Sequence, residues 1–179
     1  MGAPMALNIL KAGHQVTVHN RTRDREVPVA EAGAGRAASP KEAAAGAEIV
    51  ITCVSDTADV EAIILGDEGV FDGAEKGSIV IDMSTISPTA TRRMSERLAE
   101  KGVRMLDAPV SGGSEGAQKG TLSIMVGGDE STFARARPVM DSYAKAITHI
   151  GDVDHVHMYY FKSRGRDFYR HFEGWHAGG

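Results

Sequence analysis

Short apolar runs alternate along this chain with segments in which apolar residues recur at helical spacing. Residues 48–54 and 78–83 are nearly continuous apolar runs, which predicts parallel strands buried on both faces. Residues 14–20 have valines at alternate positions, so we expect a further strand there. Residues 4–12 and 88–101 follow the helical pattern. The alternation of strands and helices predicts an α/β fold with a mostly parallel sheet.

Cap residues mark where several helices begin. Ser39 followed by Pro40 predicts a short Ala-rich helix that ends at Gly46, and Ser87 stands in the same way before the helix that starts at residue 88. Asp56 or Thr57 caps the helix after the run 48–54. The remaining expected elements are an irregular or helical stretch at 24–32, strands at 36–38, 103–106, 122–126 and 146–150, and a helix from Asp129 to about residue 143 that is broken or kinked at Pro138.

The first predicted helix begins almost at the first residue. In a dinucleotide-binding unit, a strand and a G-x-G-x-x-G turn precede such a helix. Gly2 stands where the last glycine of that motif belongs. We therefore expect a Rossmann-like, doubly wound α/β sheet whose first strand is missing, with Gly2 as a cofactor-binding residue.

Composition narrows the functional classes. The 179 residues are 42% hydrophobic and 25% charged, which suits one buried domain, with or without a tail. The formal net charge of -4 gives no reason to expect a nucleic-acid or membrane partner. No apolar run approaches the roughly 20 residues of a membrane span. Cys53 is the only cysteine, which fits a reducing compartment, so we expect a cytoplasmic protein.

The predicted strand 14–20 ends at Asn20, and Arg21 and Thr22 follow it. An acidic residue at this position would accept a hydrogen bond from the ribose 2′-hydroxyl of NAD, whereas an arginine accommodates the 2′-phosphate of NADP. Here Asn20 holds the acidic position and Arg21 follows it. The planar guanidinium suits a phosphate, so the pattern predicts NADP rather than NAD, with Thr22 adding a hydroxyl contact. A solvated turn is the alternative.

Two further loops follow apolar runs, at the strand ends where open α/β sheets bind ligands. Val54 and Ser55 end the first run, and Thr85 follows the second. From the residues alone, Ser84 and Thr85 would be turn residues, and Asp56 and Thr57 would simply cap the next helix.

The stretch 107–122 contains the densest glycine pattern of the chain. Ser111, Gly112 and Gly113 fall where a strand ends and the chain must turn. Glycine lets the backbone approach a ligand closely, so this segment can aim N–H groups and one hydroxyl at a small carboxylate. The alternative is a surface loop that is rich in glycine only because it turns.

The run from Asp107 to Leu122 resembles the substrate-binding signature of the β-hydroxyacid dehydrogenases, the family of 3-hydroxyisobutyrate dehydrogenase and tartronate semialdehyde reductase. The resemblance implies an NAD(P)-dependent oxidoreductase that transfers a hydride between NADP and a small 3-hydroxy acid or its semialdehyde. It also implies that Val54 and Ser55 lie along the cofactor and that Thr85 lies near the nicotinamide. Ser111 to Gly113 would bind the substrate.

The resemblance stops at residue 151, where composition also changes. Seven of the ten aromatic residues and four of the seven histidines come later. We expect a dinucleotide-binding domain at 1–151 and a divergent, irregular tail at 152–179. The family's catalytic Lys, which sits on a helix with an Asn four residues on, has no match, since Lys162 precedes Ser-Arg-Gly-Arg. We name no catalytic residue.

Without that Lys, the resemblance implies impaired catalysis, since general acid–base help is worth about 10²- to 10⁴-fold in rate. The family's all-helical C-terminal domain and its homo-oligomer interface would be absent as well. A non-catalytic cofactor-binding module and an inactive fragment are the alternatives. His155, His157, His171 and His176 lack a carboxylate or cysteine at regular spacing, so we expect no metal site.

Overall fold

The computed structural model describes residues 1–153 and 156. The remaining residues of the predicted tail, and with them Lys162 and the four late histidines, lie outside the described residues. A short 3₁₀ helix occupies Arg23–Glu26. The α-helices of the described residues are α1 Gly2–Lys11, α2 Val27–Glu31, α3 Pro40–Ala44, α4 Thr57–Leu65, α5 Val70–Gly73, α6 Pro88–Glu100, α7 Gly113–Lys119 and α8 Glu130–Met140.

The strands form two sheets. β1 pairs with β2 in parallel, and the larger sheet has the order β3-β4-β5-β7-β6, with β8 beside β7. β3, β4 and β5 are parallel, whereas β7 is antiparallel to β5 and to β6. The strands are β1 Thr17–Val18, β2 Gly35–Arg36, β3 Ile49–Thr52, β4 Ile79–Asp82, β5 Arg104–Asp107, β6 Val110–Ser111, β7 Leu122–Gly127 and β8 Ala144–Gly151.

This architecture is the predicted Rossmann-like α/β fold with a mostly parallel sheet. Helices pack on both faces of the larger sheet and bury two separate cores. Along β4, Ile79 and Ile81 belong to one core, whereas Val80 belongs to the other. Successive strand residues point to opposite faces, so a strand covered on both sides needs an apolar residue at every position. This is why the run 78–83 is continuously apolar.

The sheet is divided at the position where a doubly wound fold has its central strand. Among residues 1–153 and 156, no strand pairs with both β1 and β3. Ile49 and Ile51 are consequently half-buried, although β3 is as apolar as β4. Val16 packs on the same core as these two isoleucines, so that core extends under both sheets.

Three local predictions differ from the structure. The strand expected at 14–20 is only two residues long, because it pairs on one side with the two-residue β2. The glycine segment passes directly from β6 into α7, a helix that the sequence pattern did not predict. α8 continues through Pro138 to Met140, so a break at the proline is wrong. Met140 is fully buried, and its packing holds the last turn.

Candidate cofactor-binding site

The ends of several strands lie along one edge of the sheet. β3, β4 and β5 are parallel, so their carboxyl ends share an edge. β6 runs in the same direction, because it is antiparallel to β7, which is itself antiparallel to β5. An ion pair from Arg21, which follows β1, to Asp59 in the first turn of α4 places the end of β1 there too. Open α/β sheets bind ligands at this edge.

Gly2 is the first residue of α1, which leads into the start of β1 and therefore begins at the same edge. The first turn of α1 has neither a capping side chain nor an acidic residue. A Cβ at Gly2 would meet no atom within 4 Å, so the backbone is open to approach. The N–H groups of a first helical turn and the helix dipole together favour an anion. The residues present therefore fit a dinucleotide pyrophosphate.

The turn at residues 20–22 is fixed by hydrogen bonds. The Asn20 N–H donates to Glu26 Oε1 at 2.7 Å, and the Asn20 side-chain Oδ1 accepts from the Thr22 N–H at 2.8 Å. Asn20 therefore shapes the turn with its own side chain. Thr22 itself is exposed, and its hydroxyl makes no capping bond to the 3₁₀ helix that follows.

Glu26 is 2% exposed and anchors two arginines besides the turn. Arg23 Nη1 donates to Glu26 Oε1, and Arg36 Nε donates to Glu26 Oε2, each at 2.7 Å. Burial raises the pKa of the Glu26 carboxyl, but the hydrogen bonds from Arg36 and Asn20 and the charges of both arginines outweigh it, so the pKa lies below its usual value. A charged Glu26 thus holds Arg23 and Arg36 back against the turn.

Arg21 points in another direction. Its side chain is 84% exposed, and its Nη1 lies 3.2 Å from Asp59 Oδ1. Arg23 and Arg36 pair with Glu26, whereas Arg21 contacts the neighbouring strand–helix unit through Asp59. Its guanidinium has four further N–H donors, and the ion pair is weak because it is solvated.

Hydrogen bonds join the loops that follow β3 and β4. The Val54 N–H donates to Ser84 Oγ at 3.1 Å, and the Ser87 N–H donates to Thr57 Oγ1 at 3.2 Å. Ser55 and Thr85 are exposed, and the backbones of their two loops are tied to each other. The loops are held in place before any ligand arrives.

Two carboxyl groups are buried directly behind these loops. Asp82 and Asp107 are paired in register on β4 and β5, and each is 0% exposed. Asp82 Oδ1 accepts from Thr52 Oγ1 at 2.8 Å and from the Ser84 N–H at 3.2 Å. Burial raises the pKa of Asp82 to about 6, the charge of Asp107 adds to the rise, and hydrogen bonds from Ser84 and Thr52 oppose it. Asp82 thus links β3, β4 and the Thr85 loop.

Ser111, Gly112 and Gly113 form the exposed junction between β6 and α7. Gly112 has φ +127°, and a Cβ there would lie 3.1 Å from Leu122 Cδ2. The positive φ favours glycine, whereas the Leu122 methyl group would only have to shift slightly to admit a Cβ. The Asn8 side chain of α1 donates to the Ala117 carbonyl of α7 at 2.8 Å. This hydrogen bond connects α1, which begins at Gly2, with α7, which follows Gly112.

The structure thus places every predicted site residue at one edge of the sheet. Direct contacts link the Val54 and Thr85 loops, and Arg21 is linked to α4. The glycine segment is connected to the other loops less directly, through the pairing of β6 with β7 and through the contact between α7 and α1. Sequence reasoning missed Glu26, Asp59 and the anchoring role of Asp82. The first two lie among other charged residues at helical positions, so no local signal separates them from solvated surface.

Within the part of the chain that the structure describes, no group of three His, Cys, Asp or Glu side chains is arranged to hold a metal ion. Nor does any helix among the described residues combine the length and apolarity needed to cross a membrane.

The fold, the helix beginning at Gly2 and the clustered strand ends together define a dinucleotide-binding α/β domain of the Rossmann type. Its sequence allows a more particular assignment. The chain belongs to the family described as the NAD binding domain of 6-phosphogluconate dehydrogenase, whose model matches residues 1–151.

The relatives confirm the resemblance to the β-hydroxyacid dehydrogenases. The chain is 45% identical over 152 residues to the 3-hydroxyisobutyrate dehydrogenase of Pseudomonas aeruginosa, covering 85% of this chain and 51% of that protein. It is 41% identical over 153 residues to the 2-hydroxy-3-oxopropionate reductase of Escherichia coli, covering 84% and 51%. The solved structure of the Mycobacterium tuberculosis 3-hydroxyisobutyrate dehydrogenase with L-serine matches with a TM-score of 0.85 and 37% identity, covering 91% and 55%. The chain spans about half the length of the curated relatives it matches.

Proposed function

We propose that residues 1–151 form the cofactor-binding domain of an NADP-preferring oxidoreductase that acts on a small 3-hydroxy acid or its semialdehyde. Its family supports an NAD(P)-binding domain. The preference for NADP rests chiefly on Arg21, which is 84% exposed, follows the strand end that faces the adenosine ribose in this fold, and presents unused donors.

The proposed cofactor contacts divide along the dinucleotide. Gly2 offers the N-terminus of α1 to the pyrophosphate, while Arg21 and Thr22 bind the 2′-phosphate, on the turn that Asn20 shapes. Val54 and Ser55 line the middle of the cofactor, and Thr85 contacts its nicotinamide end. When bound, the nicotinamide would supply or accept the hydride.

The proposed substrate contacts are Ser111, Gly112 and Gly113. Their exposed N–H groups and the Ser111 hydroxyl are suited to a carboxylate, the charged group that small hydroxy acids share. None of these residues can supply the proton that the substrate oxygen exchanges at neutral pH. Impaired turnover and a cytoplasmic location remain predictions.

Binding is the first test of this proposal. We expect Arg21→Ala to weaken NADP binding at least tenfold in isothermal titration, because a charge-assisted phosphate contact is lost, and to change NAD binding less than about twofold. Arg25→Ala is the control, since this exposed arginine on the neighbouring 3₁₀ helix carries the same charge. An equal loss of NADP affinity in both variants would mean that the cofactor is attracted only by the overall positive charge of this turn, and not by a specific contact with Arg21.

Turnover is the second test. Oxidation of 3-hydroxyisobutyrate and reduction of tartronate semialdehyde would be followed at 340 nm with NADP or NADPH. Binding of NADP without turnover of either compound would favour a non-catalytic cofactor-binding module. Turnover that Ser111→Ala reduces mainly through a higher KM would support carboxylate binding by the glycine segment.

A further inference from the structure

The Arg21–Asp59 ion pair connects two segments that are 38 residues apart in the sequence. Arg21 belongs to the turn after β1, and Asp59 belongs to the first turn of α4, after β3. The pair therefore crosses from the smaller sheet to the larger one at the ligand-binding edge. Asp59 is only 29% exposed, whereas Arg21 is 84% exposed.

Both ends of this ion pair are anchored by hydrogen bonds of their own. The Asp59 N–H donates to Asp56 Oδ1 at 2.9 Å, which fixes the first turn of α4. On the other side, Glu26 and the Asn20 side chain hold the turn that carries Arg21. The turn and the helix are therefore held in place, and the Asp59 carboxylate contributes to the local electrostatic field beside Arg21.

We propose that Asp59 is a specificity-determining residue that lowers the preference of this site for NADP over NAD. The inference rests on the proposed function, in which Arg21 binds the 2′-phosphate. One N–H group of the guanidinium donates to Asp59, so a phosphate must accept from the remaining N–H groups. At ordinary hydrogen-bond lengths, the phosphate oxygens would then lie about 5–6 Å from the Asp59 carboxylate.

The repulsion between these two anions acts on NADP alone, because NAD carries a hydroxyl in place of the 2′-phosphate. At that separation in a solvated site, a carboxylate opposing a phosphate weakens binding by about three- to tenfold. Asp59→Asn removes the charge but keeps an oxygen that can accept from Arg21. The substitution therefore separates charge from positioning.

The test measures NADP and NAD affinities of the purified chain and of Asp59→Asn by isothermal titration. We expect NADP to bind the variant about three- to tenfold more tightly, NAD to change less than about twofold, and the gain to shrink at 0.5 M salt. Glu61→Gln is the matched control: it removes the same charge from the same helix, but Glu61 pairs with Arg93 of α6.

An unchanged or weaker affinity of Asp59→Asn for NADP would overturn the inference, and so would an equal gain in Glu61→Gln. The proposed function fails in a different way. If the unmodified chain binds neither dinucleotide, or prefers NAD and loses nothing in Arg21→Ala, the NADP site itself is wrong. If the unmodified chain prefers NADP but Asp59→Asn brings no gain, only the role of Asp59 is wrong.

Discussion

At the scale of single residues, the buried carboxyl group of Asp82 makes the stability of the fold depend on pH. Its pKa in the folded protein is about 6, above the usual value of 3.8, because burial and Asp107 disfavour the charged form. Between about pH 4 and 6, the folded state therefore keeps a proton on Asp82 that the unfolded state has lost. The stabilisation that results from this proton is fully present below about pH 4 and is lost as pH rises through 6.

We expect Asp82→Asn to raise the free energy of unfolding at pH 7.5 by about 1–3 kcal/mol and to flatten its pH dependence between 4 and 6.5. The amide oxygen can still accept from Thr52 and Ser84, and the amide carries no charge whose burial costs free energy. Urea unfolding across this pH range measures the effect. A variant with the same pH slope as the unmodified chain would show that Asp82 stays charged.

The sequence predicts some residue roles and not others. Arg21 and Ser111 could be singled out because each lies at the end of a predicted strand, and strand ends are visible in the sequence. Glu26 could not, because its burial depends on Arg36 and Asn20, which reach it only after the chain folds back. A charged residue within a charged stretch shows no sign of such partners.

At the scale of elements, caps that the sequence predicts do appear. Ser39 and Asp56 accept hydrogen bonds from the N–H groups three residues on. Ser87 occupies the N-cap position but makes no side-chain capping bond. α7 was not predicted, because its sequence contains two glycines and lacks a helical apolar pattern. Packing of Gly116 and Ala117 against the core and α1 overrides that weak propensity.

The start of α8 offers a direct test of a cap. Asp129 Oδ1 accepts from the Thr132 N–H at 2.9 Å, and hydrogen bonds from Ser131 and Thr132 lower the pKa of Asp129 to about 2. We expect Asp129→Ala to lower the free energy of unfolding by about 0.5–2 kcal/mol at pH 7, and Asp129→Asn to lower it by much less. The stabilisation is present above about pH 4 and is lost as pH falls towards 2. Equal losses in both variants would argue against capping.

The β6–α7 junction tests the need for glycine. We expect Gly112→Ala to destabilise the fold by about 1–3 kcal/mol, because a φ of +127° is strained for a residue with a Cβ. Gly113→Asn is the comparison, since its φ of +62° is left-handed and its surroundings are open. Urea unfolding should show a loss below about 1 kcal/mol for Gly113→Asn. A Gly112→Ala protein as stable as the parent would show that the junction can relax.

At the scale of the whole molecule, the sheet is the feature that alternation of apolar runs predicts best. The continuous apolar runs predict β3 and β4 because helices cover both faces of these strands. Each run can be recognised from a few consecutive residues, without knowledge of the rest of the fold. The division between the two sheets, and the short β1 that results from it, depends on which strands find partners. Among residues 1–153 and 156, no strand pairs with β3 on the side away from β4, so the backbone groups of that edge need hydrogen-bond partners outside the sheet.

One measurement tests the central claim, that this domain folds as described and binds NADP through Arg21: thermal unfolding with NADP, with NAD and with neither. A ligand that binds only the folded state raises the free energy of unfolding by about 2.7 kcal/mol when its concentration is about 100 times Kd. For a domain of this size, that raises the Tm by about 5–10 °C. We expect one cooperative transition that NADP raises more than NAD, and Arg21→Ala to abolish the difference. A Tm that NADP does not raise, or that NAD raises more than NADP does, would contradict the account.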